Sequence, residues 1–339
     1  MKLIPTKAGV CARQQWKFFF LMLAICQALV TPVGYASEKD DKNDPVTPQA
    51  APEGVLIERD VAYLPAERKE KLDLYLPANR PAGKTAPAVV IIHGGGWTGG
   101  DKAQAREFKI GTTLAMAGYV CASVEYKKDG NDRWPTNLKD CKNAVRFLRA
   151  NAVKYQVDAK NIGVLGGSAG GHLALMVAYT PDVAELSPEA PYPGISDRVN
   201  ACIDLYGITD LITRQATEPD GTPNGKLREA GLFSDKRGEN SAKWKLASPI
   251  NHISKSSPPT LILHGMVDTT VDREQSVQLA KALAVAGVEH ELKLIPGVGH
   301  TFDLEQWQKK SLPEDLRPHV LKFLDKHLKA SASQLSQRN

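Results

Sequence analysis

The stretch "NIGVLGGSAGGHLALMVAY", residues 161–179, decides the fold. A strand-like apolar run (161–167) stops at Ser168, which sits among four glycines, and an apolar helical run (169–179) begins at once. Glycine loses the most backbone entropy on folding, so this density marks places where backbone must approach backbone. The spacing Gly166-x-Ser168-x-Gly170 is the nucleophile-elbow pattern. In that pattern a sharp turn lifts a serine hydroxyl out of a parallel sheet. Gly167 and Gly171 read as close-approach positions with no partner named.

Working outward, "APAVVIIHG" (86–94) is a β-branched run suited to a strand buried on both faces. Further strands are expected at 119–126, 199–207, 259–265 and 288–297. Helices are expected at 104–118, 135–155, 273–287 and 313–328. Before them, "VLIERDVAYL" and "KEKLDLYLP" read as a strand pair. Alternating strand and helix imply an α/β fold with a mostly parallel sheet covered on both faces. Ligands of such sheets sit beyond the carboxyl ends of the strands. Two stretches break the alternation, 180–198 and 208–257, and both are candidates for an insertion over the site.

A serine hydroxyl needs a neighbouring base, and the base needs a carboxylate to orient it. After such an elbow the chain order is Ser, acid, His. Asp268 in "HGMVDTTV" and His300 in "PGVGHTF" each follow a strand end, so a parallel sheet would gather all three on one rim. Asp272 is the rival acid and His252 a weaker rival base. His93 and His264 end strands before glycine and read as loop-orienting residues, while His172 reads as a packing residue. Attack on a carbonyl also needs amides for the developing oxyanion. "HGGGW" (93–97) follows a strand, and Gly95, Gly96 and Ala169 are the expected donors. A phosphate loop is excluded because no G-x-x-x-x-G-K-[ST] is present.

The 339 residues carry a formal charge of +5, but Lys2, Lys7, Arg13 and Lys17 fall in the first 36, which hold no acid. The remainder has 39 basic and 38 acidic residues, which gives no case for a nucleic-acid or anionic-membrane partner. Residues 1–36 read as a secretory signal peptide, with a basic start, an apolar run from Phe18 and small residues at Gly34 and Ala36. A membrane anchor and a lipoprotein signal at Cys26 are the alternatives. Residues 37–54 read as a disordered linker, 55–328 as the folded domain and 329–339 as a flexible tail. Cys121, Cys141 and Cys202 read as small buried residues rather than a disulfide framework. No Cys or His cluster has zinc spacing, and no cofactor is expected.

"HGGGW", "GGSAGG", "HGMVDTTV" and "GVGHTF", in this order, resemble an α/β-hydrolase of the HGGG-type esterase/lipase superfamily. "EKLDLYLP", "RWPTNLKDCKNAVRFLR" and "ASPINHISKSSPPTLILHG" look closest to bacterial secreted feruloyl/acetylxylan-esterase-like carboxylesterases. The resemblance covers about residues 55–328. It implies Ser168 as nucleophile, His300 as base, Asp268 as orienter, and Gly95, Gly96 and Ala169 as the oxyanion hole. It also implies an α/β-hydrolase fold with an inserted cap-like region. Lipases of that superfamily carry an apolar lid, whereas 208–257 is rich in charge, Gly and Pro. The expected protein is therefore a secreted or periplasmic serine esterase acting on short-chain or polysaccharide-linked esters. An arylformamidase or peptidase with the same triad, and a non-catalytic binding protein on the same scaffold, are the rival readings. Activity should fall as His300 is protonated.

Overall fold

A computed structural model describes residues 49–329 except 82, 132, 228–230 and 236–240. The expected signal peptide, residues 37–48 of the linker and nearly all of the tail lie outside the described residues. The chain runs β1 (Val55–Val61), β2 (Leu72–Pro77), β3 (Ala86–Ile92), α1 (Ala105–Met116), β4 (Val120–Val124), α2 (Arg133–Ala150) and α3 (Ala152–Tyr155). It continues through β5 (Val157–Gly167), α4 (Ala169–Tyr179), β6 (Ala201–Leu205), β7 (Gln215–Thr217), β8 (Pro223–Leu227) and α5 (Ser241–Leu246). It ends with β9 (Thr260–Gly265), α6 (Glu274–Val285), β10 (His290–Ile295), β11 (Gln306–Trp307), β12 (Lys310–Ser311) and α7 (Arg317–Leu328).

Eight strands form one sheet in the order β1-β2-β4-β3-β5-β6-β9-β10. The first pairings, β1–β2 and β2–β4, are antiparallel. From β4 onward every pairing is parallel. Alternate side chains of β3 explain why its apolar run is unbroken. Ala88, Val90 and Ile92 join a core containing Leu138, Leu173 and Leu283 from α2, α4 and α6. Val89 and Ile91 join a second core with Leu114 and Phe323 from α1 and α7. Each fully buried Val, Leu, Ile or Phe among them is worth about 1.5–3 kcal/mol of transfer energy. The helix α4 is buried on every side, as its all-round apolar sequence requires. Cys121, Cys141 and Cys202 are free and buried, and burial pushes their thiols up.

Three departures from the sequence reading matter. The expected helix 135–155 is two helices, and Trp134 and Pro135 at its start are non-helical. The hairpins β7–β8 and β11–β12 have strands of two to five residues, too short to show a period. Finally, 180–198 does not cover the site. It is held against α2, where Arg146 donates to Pro188 O (2.6 Å) and pairs with Asp197 (2.9 Å). The 11-residue α4 carries the chain about 16 Å from the Ser168 rim, at about 1.5 Å per residue, before that stretch begins.

Candidate active site

Ser168 links β5 to α4 at φ 58° and ψ −123°, a conformation a non-glycine residue rarely adopts. The surroundings enforce it. Ser168 N–H donates to Leu205 O (2.9 Å), and Ser168 O accepts from His172 N–H (3.0 Å). A Cβ on Gly166 would lie 2.1 Å from Gly170 O, and one on Gly170 would lie 2.1 Å from Ile92 O. The other two glycines now have partners. A Cβ on Gly167 would lie 3.0 Å from both Arg106 Nη1 and Tyr206 Oη, and one on Gly171 would lie 2.5 Å from Asp204 Oδ1.

The structure brings the three expected side chains together. His300 Nδ1–H donates to Asp268 Oδ2 at 2.7 Å, and His300 Nε2 accepts from Ser168 Oγ–H at 2.9 Å. The carboxylate only accepts, which fixes this tautomer. Asp268 is buried, while Ser168 and His300 are partly open to solvent. Its Oδ1 takes the N–H groups of Thr270 (2.8 Å) and Val271 (2.9 Å). Burial alone would raise the Asp268 carboxyl, yet His300 and His264 hold it well below the usual carboxylate range. The rivals are engaged elsewhere: Asp272 accepts from Gln215 N–H (2.9 Å), and His252 donates to Leu246 O (2.7 Å).

The "HGGGW" loop folds back on itself. Gly95 has φ 107° and its carbonyl accepts from Thr98 and Gly99 N–H (3.2 and 2.9 Å). A Cβ on Gly94 would lie 3.3 Å from Ser168 Cβ, so the loop lies against the elbow. No hydrogen bond among the described residues uses the N–H of Gly95, Gly96 or Ala169. These amides can donate to a ligand oxygen. His93 braces the loop through Gly94 O (2.7 Å) and Glu125 (3.2 Å). His172 ties it to the insertion, since it accepts from Trp97 Nε1–H (3.1 Å) and donates to Ala247 O (2.7 Å). Burial pushes His172 down to about 4, which keeps it neutral for that bridge. The insertion also reaches the loop directly, because a Cβ on Gly231 would lie 3.1 Å from Gly96 O. Its polar composition concealed Leu232 and Phe233, which are buried, with Phe233 edge-on to Trp134.

Two supporting residues were missed in the sequence. Tyr206 packs its ring on His300 (4.8 Å between centroids) and donates its hydroxyl proton to Phe302 O (2.9 Å). Arg106 Nη1–H donates to that hydroxyl (2.8 Å), joining α1 to the His300 loop. Tyr206 was findable, because it follows β6 at the same rim as the triad. Nothing in "QAREFK" distinguishes Arg106 from a surface arginine. Among the described residues no group of three His, Cys, Asp or Glu side chains could hold a metal ion. A hydroxyl, an imidazole and a buried carboxylate in series, beside free amides, can generate an oxygen nucleophile and receive an oxyanion.

The chain is similar to proteins already known. The family model of BD-FAE matches residues 72–283, well over half of the chain. The chain belongs to the BD-FAE family. Its fold is that of the α/β-hydrolases. Among curated relatives of this BD-FAE chain, Esterase LipQ of Mycobacterium tuberculosis is 30% identical over 247 residues, covering 72% of this chain and 57% of that protein. Esterase LipC of the same organism is 31% identical, covering 69% and 57%. The BD-FAE chain thus spans just over half the length of the curated relatives it matches. A solved truncated form of a carbohydrate esterase from gut microbiota aligns with a TM-score of 0.68 and 28% identity, covering 84% of this chain and 99% of that one. Thermogutta terrifontis esterase 2 phosphonylated by sarin aligns with a TM-score of 0.62 and 26% identity, covering 81% and 94%.

Proposed function

We propose that this chain is a serine carboxylic ester hydrolase working through an acyl-enzyme. The observation that carries the reading is the unbroken series Ser168–His300–Asp268 beside the free amides of Gly95, Gly96 and Ala169. His300 Nε2 takes the Ser168 proton as Oγ bonds to the ester carbonyl carbon. The carbonyl oxygen becomes an oxyanion, and the three amides receive it. Asp268 keeps the ring oriented and stabilises the imidazolium without taking its proton. The intermediate collapses by breaking the bond to the alcohol oxygen, to which His300 returns the proton. Water then repeats the cycle and releases the acid.

The esterase names of the relatives, and a neighbour whose title records phosphonylation by sarin, support the same reading. The polar insertion and the carbohydrate-esterase neighbour favour a short-chain or polysaccharide-linked ester. Secretion or periplasmic export rests on the sequence of residues 1–36, and N-terminal sequencing of the mature protein tests it. The function is tested with Ser168→Ala. Hydrolysis of p-nitrophenyl acetate should fall by about 10⁴-fold or more. A fluorophosphonate probe should label the wild type at Ser168 and leave the variant unlabelled. An unlabelled wild type, or a fully active variant, would overturn the reading.

A further inference from the structure

We propose that His264 is a second positioning histidine, sharing with His300 the oxygen Asp268 Oδ2 and thereby setting how tightly His300 holds its proton. This rests on the reading of His300 and Asp268 as base and orienter. His264 lies in β9 and is fully buried. Its Nε2 is 3.1 Å from Val271 O and 3.3 Å from Asp268 Oδ2. Both oxygens accept only, so Nε2 carries the proton. At the other side of the ring, Nδ1 meets Ser276 Oγ of α6 at 2.7 Å, which fixes its orientation. Asp268 therefore accepts three hydrogen bonds, from Thr270 and Val271 N–H on Oδ1 and from His300 on Oδ2, and the His264 Nε2–H group, bonded to Val271 O, lies 3.3 Å from that same Oδ2.

The consequence is electrostatic. Charge that Oδ2 directs to His264 is not available to the His300 imidazolium. Without the His264 donor, Asp268 would stabilise the imidazolium more, and His300 would stay protonated to higher pH. The groups facing His264 are Asp268 and Asp272 from the loop after β9, Asp204 from β6, and Ser276 from α6. Those facing His300 are Asp268, Ser168 and the Tyr206 ring. Burial alone would lower His264, but its carboxylate neighbours hold it above the ordinary histidine value. In either protonation state Nε2–H is present, so the donor persists. The sequence reading of His264 as a loop-orienting residue agrees with its bond to Val271 O and omits its close approach to Asp268.

The test follows the His300 imidazole C–H resonance by NMR through a pH titration, alongside the acid limb of kcat/KM. His264→Leu should raise the His300 midpoint by about 0.5–1 pH unit, a three- to tenfold tighter proton. The acid limb should move with it while KM on the alkaline plateau stays unchanged. His264→Gln, which returns an N–H near the Nε2 position, should shift the midpoint by less than half as much. Should the leucine variant not fold, Ser276→Ala frees the ring and should move the midpoint in the same direction. A folded leucine or Ser276→Ala variant whose midpoint stays within about 0.2 unit of wild type overturns the inference. The NMR midpoint is read whether or not the protein turns over esters. An unmoved midpoint with an inactive Ser168→Ala sinks this inference alone, and a moved midpoint with a fully active Ser168→Ala sinks the esterase reading alone.

Discussion

The two halves of the site are built by opposite means. Around Ser168 the decisive feature is missing side chains: Gly94, Gly166, Gly167, Gly170 and Gly171 each stand where a Cβ would strike neighbouring atoms. Around His300 the decisive feature is crowded side chains, with Asp268, His264 and Tyr206 bonded or stacked in series. The first half is rigid because nothing else fits. The second is rigid because its polar atoms are held by several hydrogen bonds and close charge contacts at once. Substitutions in the two halves should therefore fail differently, the first by disrupting the fold and the second by disabling a folded protein.

The sharpest probe of the second half is Asp268→Asn. The fold should survive, because an amide oxygen can still accept the Thr270 and Val271 N–H groups. The His300 tautomer should not survive, since an amide N–H facing Nδ1 favours the form that cannot accept from Ser168. Ester hydrolysis should fall about 10⁴-fold, some 5.5 kcal/mol of barrier, with the melting temperature little changed. A large drop in melting temperature with proportionate residual activity would erase the distinction between the halves.

Gly170→Ala probes the first half. The new Cβ would lie 2.1 Å from Ile92 O and 2.5 Å from His93 O, both backbone atoms that cannot rotate away. Relief requires α4 to move off β3. A stability loss of about 4 kcal/mol or more is expected, read as a lowered urea midpoint and poor soluble yield. Full stability with lost activity would show that the glycine serves the reaction rather than the packing.

This contrast also explains what the sequence could reveal. Missing side chains are visible in a sequence, because "GGSAGG" and "HGGGW" stand out in any chain. Strand ends are visible too, since buried β-branched runs locate β3, β5 and β9 and hence the rim carrying Ser168, Asp268 and His300. Partnerships between distant side chains are not visible. Arg106 and Tyr206 are 100 positions apart and meet only because the fold brings the start of α1 to the residue that follows β6. The role of 180–198 failed for a related reason. Its departure from strand–helix alternation was legible, but the direction in which α4 carries the chain was not.

Asp204 tests the seam between the halves. It packs behind the elbow glycines and also faces His264. Its Oδ1 accepts from Gly207 N–H (2.9 Å), and its Oδ2 is buried with no hydrogen-bond partner among the described residues. Burial pushes this carboxyl up to about 7, against the pull of His264 and the Gly207 amide. An unfolded aspartate titrates near about 3.9. Between those values the folded chain keeps a proton that the unfolded chain has released. This contribution to stability therefore falls as pH rises from about 4 to about 7. Asp204→Asn keeps the acceptor for Gly207 and removes the titration. Urea unfolding across that window should show the wild type losing about 3 kcal/mol relative to the variant. Parallel curves for the two proteins would mean that Asp204 is ionised in both states, and that His264 rather than burial governs the seam.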